Sequence, residues 1–583
     1  MVDSESIKSS TDAMQDGGIS KVISTSDDKE ITPCTLEKGL QSDAQECAVD
    51  SDAQSLSNQT NLLTTRQLMI ALPALSLSLF VSFIDQTSIS TSIPALSADL
   101  NAGSSTSWVG GSFLIASTAF QLINGRLSDI FGRKICLLVC LGLLATGDLL
   151  CGFATSANML FVFRAIAGIG AGGVNSVAMI IVSDITTLES RGKYQGILGA
   201  VIALANGTGP FLGGVLVEKA SWRWVFWIIP PLTVPAILII WAFLPLKHDS
   251  GEYMKKIGRI DFIGVILNIG AVLMILIPVS GGGLTYAWNS AFVIAMIICG
   301  GLLAVVFLLY EWKFAKIPIM PLHITLYPSC GLLYFQNFFT GLVFFGNFFY
   351  LPIYFQSIRG YTAIESGALL LPLIIATSCS SLIAGQIMSR TGYYKLVIVA
   401  GFMIWSIGGG LKCLYHRHTP LRTLIASGIV EGIGVGFTLQ PTLVAILANS
   451  RQTDRAVATG LRNFVRTIGG STGLAVSGAI LNNTLRTKLS GLSFITPALL
   501  DTLSSSTYGL SSLGLTAEEK NSVLDAYMAG LEHIYLLYVC STGLNLLISI
   551  FIRDTSLIKK AAVDVQDEED AAAAAGAETQ NKI

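Results

Sequence analysis

From Gln67 onward the sequence is a succession of apolar runs separated by short polar turns. Each run holds about 20 residues, the length an α-helix needs to cross a bilayer's hydrocarbon layer. In lipid every backbone N–H and C=O must find its partner inside the protein, which leaves only helices or a closed barrel. A barrel would show alternating segments of about 10 residues, and these runs are longer and apolar throughout. The expected spans are 68–94, 107–125, 135–155, 159–183, 194–217, 224–245, 260–280, 290–312, 330–356, 366–388, 396–414, 423–447, 457–482 and 531–552. That is an all-α polytopic membrane protein of about fourteen transmembrane helices. Charge agrees with it: 13% of the 583 residues are charged and 52% hydrophobic, whereas a soluble domain carries about 25% charged residues.

The flanks read differently. Residues 1–66 are rich in Ser, Asp, Gln and Thr, and residues 555–583 are acidic and alanine-rich. Both are expected as loose cytosolic tails. No cleavable signal is needed, because the first apolar run can direct its own insertion. A formal net charge of −2 gives no sign of a nucleic-acid partner. The ten cysteines are scattered, without CxxC or metal-ligand spacing. They read as reduced packing residues, and neither a metal nor a cofactor is expected. With the N-terminus inside, roughly 18 loop lysines and arginines fall in the cytosol and 9 outside, Lys412 among the latter. This bias places both termini in the cytosol.

The chain also repeats itself. Gly168, Gly170 and Gly172 recur as Gly432, Gly434 and Gly436, 264 residues on. At the same offset Arg191 and Gly196 recur as Arg455 and Gly460, and Gly209 and Gly214 as Gly473 and Gly478. A fixed long offset marks an internal structural repeat. Here it maps the fourth and fifth spans onto the twelfth and thirteenth. The expectation is two pseudo-symmetric six-helix bundles, 67–246 and 329–554, joined by a linker and an inserted helix pair over 247–328. A long outer loop is expected over 483–530, with Asn482 as a candidate glycosylation site beside it. Parallel bundle halves are a transporter architecture whose cargo site lies between them near the midplane.

Ionisable residues within the spans are costly and therefore candidates for function. Asp85 lies two-thirds along the first span, and Arg164 a few residues into the fourth, at a depth where the two can pair. Proton coupling and a structural ion pair are both readings of that pair. Glu431 lies at similar depth on the twelfth span, as a second proton or cation site or as a satisfied structural carboxylate. Asp148, near the outer end of the third span, is expected exposed or paired. Arg462 and Arg466 stand one turn apart and are expected to snorkel or pair at the inner mouth. Asn175, Gln336, Asn337, Asn347 and Gln440 are candidates for the cargo cavity. The aromatic residues Trp108, Phe344, Phe345, Phe348 and Tyr350 could meet a flat apolar cargo, against plain packing as the competing reading. Within the loop after the second span, Gly125, Asp129, Gly132, Arg133 and Lys134 combine a tight turn with charges near helix ends, as a conformational switch would need.

That loop, Gly125-Arg126-Leu127-Ser128-Asp129-Ile130-Phe131-Gly132-Arg133-Lys134, resembles the signature between helices two and three of the major facilitator superfamily. Arg164 to Gly172 resembles its fourth-helix motif. Gly209-Pro210-Phe211-Leu212-Gly213-Gly214 resembles the GPxxGG motif of export-type members. Ile84-Asp85-Gln86-Thr87 with Ser92-Ile93-Pro94 resembles the first-helix motif of the fourteen-helix drug:proton antiporters, and Trp222 to Trp227 that group's approach to helix six. Ile84 replaces the usual Leu, and Ser88, Ser90 and Thr91 replace Val, Asn and Val. The overall look is of fungal multidrug and toxin efflux pumps. The resemblance implies that Arg164 takes part in proton coupling with Asp85, and that Gly209, Pro210, Gly213 and Gly214 form an antiporter hinge.

The expected function is a proton-coupled exporter of small amphipathic compounds such as drugs, toxins or secondary metabolites, working by alternating access. Its partners would be the cargo, protons and lipid, and it would act as a monomer in the plasma membrane, with the vacuolar membrane as an alternative. A siderophore or amino-acid carrier of the same fold is the competing reading, against which the GPxxGG motif speaks. No phosphate loop, HExxH or CxxC cluster points to an enzyme or an ATP-driven pump.

Overall fold

Fourteen long helices make up the chain in a computed structural model that describes residues 65–100, 108–186, 188–244, 261–282, 286–315, 318–320, 322–326, 328–451, 454–490, 492, 495, 499 and 516–554. The expectations for the two tails, and for most of the linker over 247–260, lie outside these residues. In chain order the helices are α1 (Thr65–Asp99), α2 (Trp108–Phe131), α3 (Arg133–Gly152), α4 (Ala157–Ile185) and α5 (Leu188–Lys219). α6 (Arg223–Phe243) has a break at Ile228 and is followed by α7 (Phe262–Gly281) and α8 (Ala291–Lys313). Then come α9 (Pro328–Ile353), α10 (Ala363–Thr391), α11 (Lys395–Lys412), α12 (Leu421–Ala448), α13 (Arg455–Leu489) and α14 (Ala517–Phe551). Thirteen of the fourteen are long and apolar enough to cross a membrane. The exception, α2, carries Gln121, Asn124, Arg126 and Asp129, and its buried polar side chains face other helices rather than lipid.

Glycine spacing explains how α4 and α12 are seated. A Cβ added at Gly168 would meet the backbone of Phe113 on α2, and one at Gly172 the backbone of Ser117. Gly170, on the adjoining face, meets Leu144 and Cys140 of α3. Four residues is about one helical turn, so Gly168 and Gly172 form one flat stripe against α2 and Gly170 another against α3. The copy repeats this: Gly432 and Gly436 lie against Leu373 and Thr377 of α10, and Gly434 against Trp405 of α11. The sequence repeat is therefore a packing repeat. α1 pairs with α5 as α9 pairs with α13, and α3 with α6 as α11 with α14. Buried apolar residues also sort by half, one cluster drawn mainly from α1–α6 and a larger one mainly from α9–α14.

Two seams join the halves, α5 against α10 and α2 against α13. Call the end that carries Arg133 the inner end. There a Cβ on Gly125 would sit 3.3 Å from the Ala456 carbonyl oxygen, and one on Gly460 3.2 Å from that of Gln121. Across the other seam a Cβ on Gly196 would come within 2.7 Å of the Ser381 carbonyl oxygen and 3.2 Å of the Gly385 Cα. Both seams are thus shut at the inner end. Toward the other end α5 and α10 stay close, with Gly367 placed 3.6 Å from the Phe211 backbone by the same measure. The inserted α7 lies on both α2 and α13, and its Asn268 donates to the Ala119 carbonyl at 3.0 Å.

Element ends differ from expectation at several places; α2 runs on to Phe131, so Gly125 to Phe131 are helical rather than loop and Gly132 alone separates α2 from α3. α13 runs on to Leu489 and α14 begins at Ala517, so the long outer loop expected over 483–530 shrinks at both edges. Thr516 and Glu519 form a reciprocal capping box that starts α14 well before its apolar run. Asn482 consequently lies within a helix, and the hydroxyl of Thr484 donates to the Ile480 carbonyl at 2.8 Å. Beyond the membrane spans, Asp99 ties α1 to the start of α6. It accepts from Trp222 Nε1 and Arg223 Nη1, both at 2.9 Å, and these two donors hold its carboxyl below the usual carboxylate range.

Overpacking a tight core costs about 1–3 kcal/mol, and more where the clash is with backbone. Gly170→Leu is expected to lower Tm in detergent and to broaden the size-exclusion peak. Gly142→Ala, on α3 with nothing within 4 Å of its would-be Cβ, should leave both unchanged or raise Tm slightly.

Candidate functional site

Each half carries one buried charge cluster, built on corresponding helices. In the first, Arg164 on α4 donates from Nη1 to Asp85 Oδ1 on α1 at 2.7 Å and to Asp148 Oδ1 on α3 at 3.3 Å. All three side chains are at most 1% exposed. Phe113 caps the guanidinium with its ring centroid at 4.2 Å, and Phe226 lies at 5.7 Å. The expected pair of Asp85 and Arg164 is thus present, and Asp148 is the third member. With both carboxylates ionised this triad carries a net charge of −1; one proton makes it neutral.

The second cluster has the opposite polarity. Glu431 on α12 is ion-paired with Lys412, the last residue of α11. Asn347 on α9 bridges them, donating to Glu431 Oε1 at 2.7 Å and accepting from Lys412 Nζ at 2.8 Å. Trp405 Nε1 donates to the same Glu431 oxygen at 3.2 Å, and the Tyr535 ring lies 5.9 Å from the ammonium. Lys412 is 1% exposed. Its expected place among the outer-loop charges is therefore corrected: the carboxylate of Glu431 draws it into the bundle. Two small cavities adjoin the cluster. One is lined by Val343, Lys412, Tyr535, Tyr538 and Thr542, and the other by Phe344, Phe348, Leu370, Leu373 and Val435. The second has about 10 Å³ of free space, at the lower limit for one water, so neither is an open cargo chamber.

A third group lies where the halves meet. Thr467 on α13 donates to Gln121 on α2 at 3.4 Å, and Gln440 on α12 lies against Gly199 of α5. Beside them Arg462 and Arg466 are 1% and 8% exposed. Snorkelling is thereby excluded, and the expected acidic pairing is absent: among the described residues neither has a carboxylate partner. Arg462 donates to the Leu439 carbonyl and, at 3.0 Å, to Asn463 Oδ1. The remaining cavity candidates scatter. Asn175 accepts from Ser82 at 3.2 Å across α4 and α1. Gln336 turns to α14, donating to the Asn545 carbonyl at 2.9 Å, and Asn337 donates to Leu333 on its own helix at 2.8 Å. Gln336 thus joins two helices of the second half, and the bond of Asn337 stays within α9.

The hinge and loop motifs have definite contacts. Gly209 and Gly213 let α5 approach Thr87, Ser88 and Thr91 of α1, one turn from Asp85, and Thr91 donates to the Pro210 carbonyl at 3.1 Å. Gly214 is looser, with only Ile364 at 4.0 Å. In the loop Gly132 takes φ +94°, which glycine allows without strain. Arg133 pairs with Asp129 and donates to Asp184 Oδ2 at the end of α4 at 2.9 Å, while Lys134 donates to the Leu244 carbonyl at 3.0 Å. Arg126 reaches the Pro318 carbonyl at 2.7 Å. Charges on the last turns of α2 and the first turn of α3, either side of Gly132, thus tie α2, α3, α4 and the chain after α6 and α8 at the inner end, beside the seam with α13.

This loop, the glycine-striped α4 and the repeated bundle carry the decision, and comparison with known proteins agrees. The model of the Major Facilitator Superfamily matches residues 75–262 and 259–474. The chain belongs to the major facilitator superfamily. It is 39% identical over 532 residues to Citrate exporter 1 of Yarrowia lipolytica, covering 90% of this chain and 79% of that protein. It is 36% identical over 430 residues to the efflux pump dotC of Dothistroma septosporum, covering 74% of each. Among solved structures, the proton:xylose symporter XylE shares the fold with a TM-score of 0.54 at 14% identity, over 85% of this chain and 98% of that one. This superfamily member is a multi-pass membrane transporter whose relatives include fungal efflux pumps.

Breaking a buried ion pair by removing one partner costs about 3–5 kcal/mol. Lys412→Met is therefore expected to lower Tm sharply. The double variant Lys412→Met with Glu431→Gln should regain most of the loss, read as a coupling of more than about 1 kcal/mol in a thermal-denaturation double-mutant cycle.

Proposed function

We propose that this protein is a proton-coupled exporter of small organic compounds, operating by alternating access between its two bundles. The observation that carries the proposal is the triad of Asp85, Asp148 and Arg164. Two carboxyls and one guanidinium, sealed from water, leave an uncompensated negative charge unless one carboxyl holds a proton. Taking up or releasing that proton changes the electrostatic cost of burying the cluster, so it biases any motion that opens the cluster to water. Gly209 to Gly213 packs on α1 one turn away, which gives the motion a route from Asp85 to α5 and so to the α5–α10 seam. The Glu431, Lys412 and Asn347 cluster is the second candidate for coupling, an ion pair that a motion of α11 against α12 would have to break. Asp129 and Arg133 hold the inner end closed and act as the switch that must let go for cargo to enter from the cytosol.

Both bundles and the space between them lie within one chain, so the mechanism needs no second copy. An exporter to the cell's surroundings would work from the plasma membrane, and one that loads a vacuole from the vacuolar membrane. The similarity to Citrate exporter 1 makes an organic acid a candidate cargo beside the amphipathic compounds expected of an efflux pump.

Uptake into inside-out vesicles tests this reading. An acid interior is expected to drive accumulation of cargo from a panel of hydrophobic toxins and organic acids, and a protonophore to abolish it. Asp85→Asn should express and fold but fall to the gradient-free level. Uptake indifferent to the gradient would overturn the coupling, and unaltered uptake in Asp85→Asn would remove that residue from it.

A further inference from the structure

We infer that Arg462 and Arg466 form a binding site for carboxylate-bearing cargo, an organic anion with at least two acidic groups. The inference deepens the exporter reading by naming the cargo class, and it rests on that reading for the direction of transport.

The argument starts from charge balance. A buried guanidinium without a counter-charge costs several kcal/mol, and a second like charge on the same helix face adds repulsion. Two other deeply buried cations are compensated within the bundles: Arg164 has two carboxylates, and Lys412 has Glu431. Arg462 and Arg466 differ. Among the described residues no Asp or Glu pairs with either, and Nε of each is buried without an acceptor. Arg462 is held by a backbone carbonyl and by Asn463 Oδ1, which orient its fork without neutralising it. Nothing among the described residues answers the positive charge, which leaves it open to a bound anion.

Geometry selects its chemistry. Residues four apart lie on one helix face with Cβ atoms about 5–6 Å apart. Two planar guanidiniums at that spacing match two carboxylates on a short carbon skeleton, each met by a pair of parallel N–H donors. Position agrees as well. Thr467, one residue beyond Arg466, bonds to Gln121 of the other half, and Arg462 reaches the residue before Gln440, which packs on α5. The dyad thus sits where the halves meet, the place where such transporters hold cargo. Gln440 Oε1 is buried and without a donor, ready to accept from a cargo hydroxyl or a protonated carboxyl. Both seams are closed at the inner end, so the site would load when that end opens.

Binding to the purified full-length protein tests this without any need for transport. Citrate and tricarballylate are the probes, with glucose and tetraphenylphosphonium as neutral and cationic controls. The two carboxylates are expected to raise Tm in a dose-dependent way that the controls do not reproduce. Arg466→Gln should weaken carboxylate binding at least about tenfold, a loss near 1.4 kcal/mol. It should also raise Tm in the absence of probe, because an uncompensated buried charge has been removed; a merely structural arginine would lower it. Arg462→Gln gives the same weakening if its loss of the Leu439 bond is tolerated, and Arg466→Gln alone decides if it is not. Carboxylate binding unchanged in Arg466→Gln, or a lower Tm with no probe effect in the parent protein, would overturn the inference. If the parent binds carboxylates through the dyad while its uptake ignores the pH gradient, the coupling reading fails and the site stands. If uptake follows the gradient but binding ignores Arg466, the site fails and the coupling stands.

Discussion

A charge inside a membrane protein must be answered by something, and that constraint orders this molecule. Water cannot answer it, since Asp85, Asp148, Arg164, Lys412 and Glu431 are each at most 1% exposed. The protein supplies counter-charges from neighbouring helices, and in doing so fixes which helices touch. Arg164 needs α1 and α3 beside α4; Glu431 needs α9 and α11 beside α12. The glycine stripes on α4 and α12 bring one neighbour of each set close, α3 through Gly170 and α11 through Gly434, because residues without a side chain let the backbones approach. Packing and electrostatics are therefore one design, repeated with the signs exchanged. The first half places acids on its first and third helices and a base on its fourth. The second places an amide, a base and an acid on the corresponding three.

Exchanged signs leave the two clusters with different net charge. Two carboxylates against Arg164 give the first a surplus negative charge when both are ionised, whereas Glu431 and Lys412 cancel in the second. Under the proposed coupling only the first has a charge for a proton to remove. Two halves with identical clusters would respond in step; on that reading these two do not, which gives a bundle pair a reason to move relative to each other rather than together.

Much of this was legible in the sequence, for definite physical reasons. Run length gave the fourteen helices, because lipid leaves a chain few alternatives. The glycine repeat gave the bundle pairing, because close helix contact needs small residues at one-turn spacing. Asp85 and Arg164 stood out because each interrupts an apolar run well away from its ends. Asp148 and Lys412 were harder. Both lie near the outer ends of their runs, where a charge can usually reach water, and only the third dimension shows that neighbouring helices cover them. Arg462 and Arg466 misled in the same way from the other end. The start of α14 was hidden for a different reason: its first turns are polar, and the Thr516 and Glu519 cap, visible as a T-x-x-E pattern, was outweighed by the absence of apolar residues around it. Gln336 and Asn337 show the converse limit. A polar residue in a span is expected to face a cavity, but an amide can also bind a neighbouring helix, and one sequence does not distinguish the two.

The two seams between the halves are related by the repeat yet differ in closeness. Where α5 meets α10, a Cβ on Gly196 would come within 2.7 Å of the Ser381 carbonyl oxygen at the inner end, and Gly367 brings α10 close to Phe211 further along. Where α2 meets α13, the approaches at the inner end are looser, 3.3 Å for Gly125 and 3.2 Å for Gly460; further in Thr467 bonds to Gln121, and α7 lies across both helices with Asn268 bonded to α2. Close backbone contact loses dispersion energy steeply with any separation, since a gap of 0.5–1 Å forfeits a quarter to a half of each contact. The hydrogen bond between Thr467 and Gln121 can pass to water or to a cargo molecule at little net cost, because the exchange replaces one partner by another. A motion that keeps the tighter seam while parting the looser one is thus the cheaper one. It is also the one that exposes α13, the helix on which the arginine pair stands.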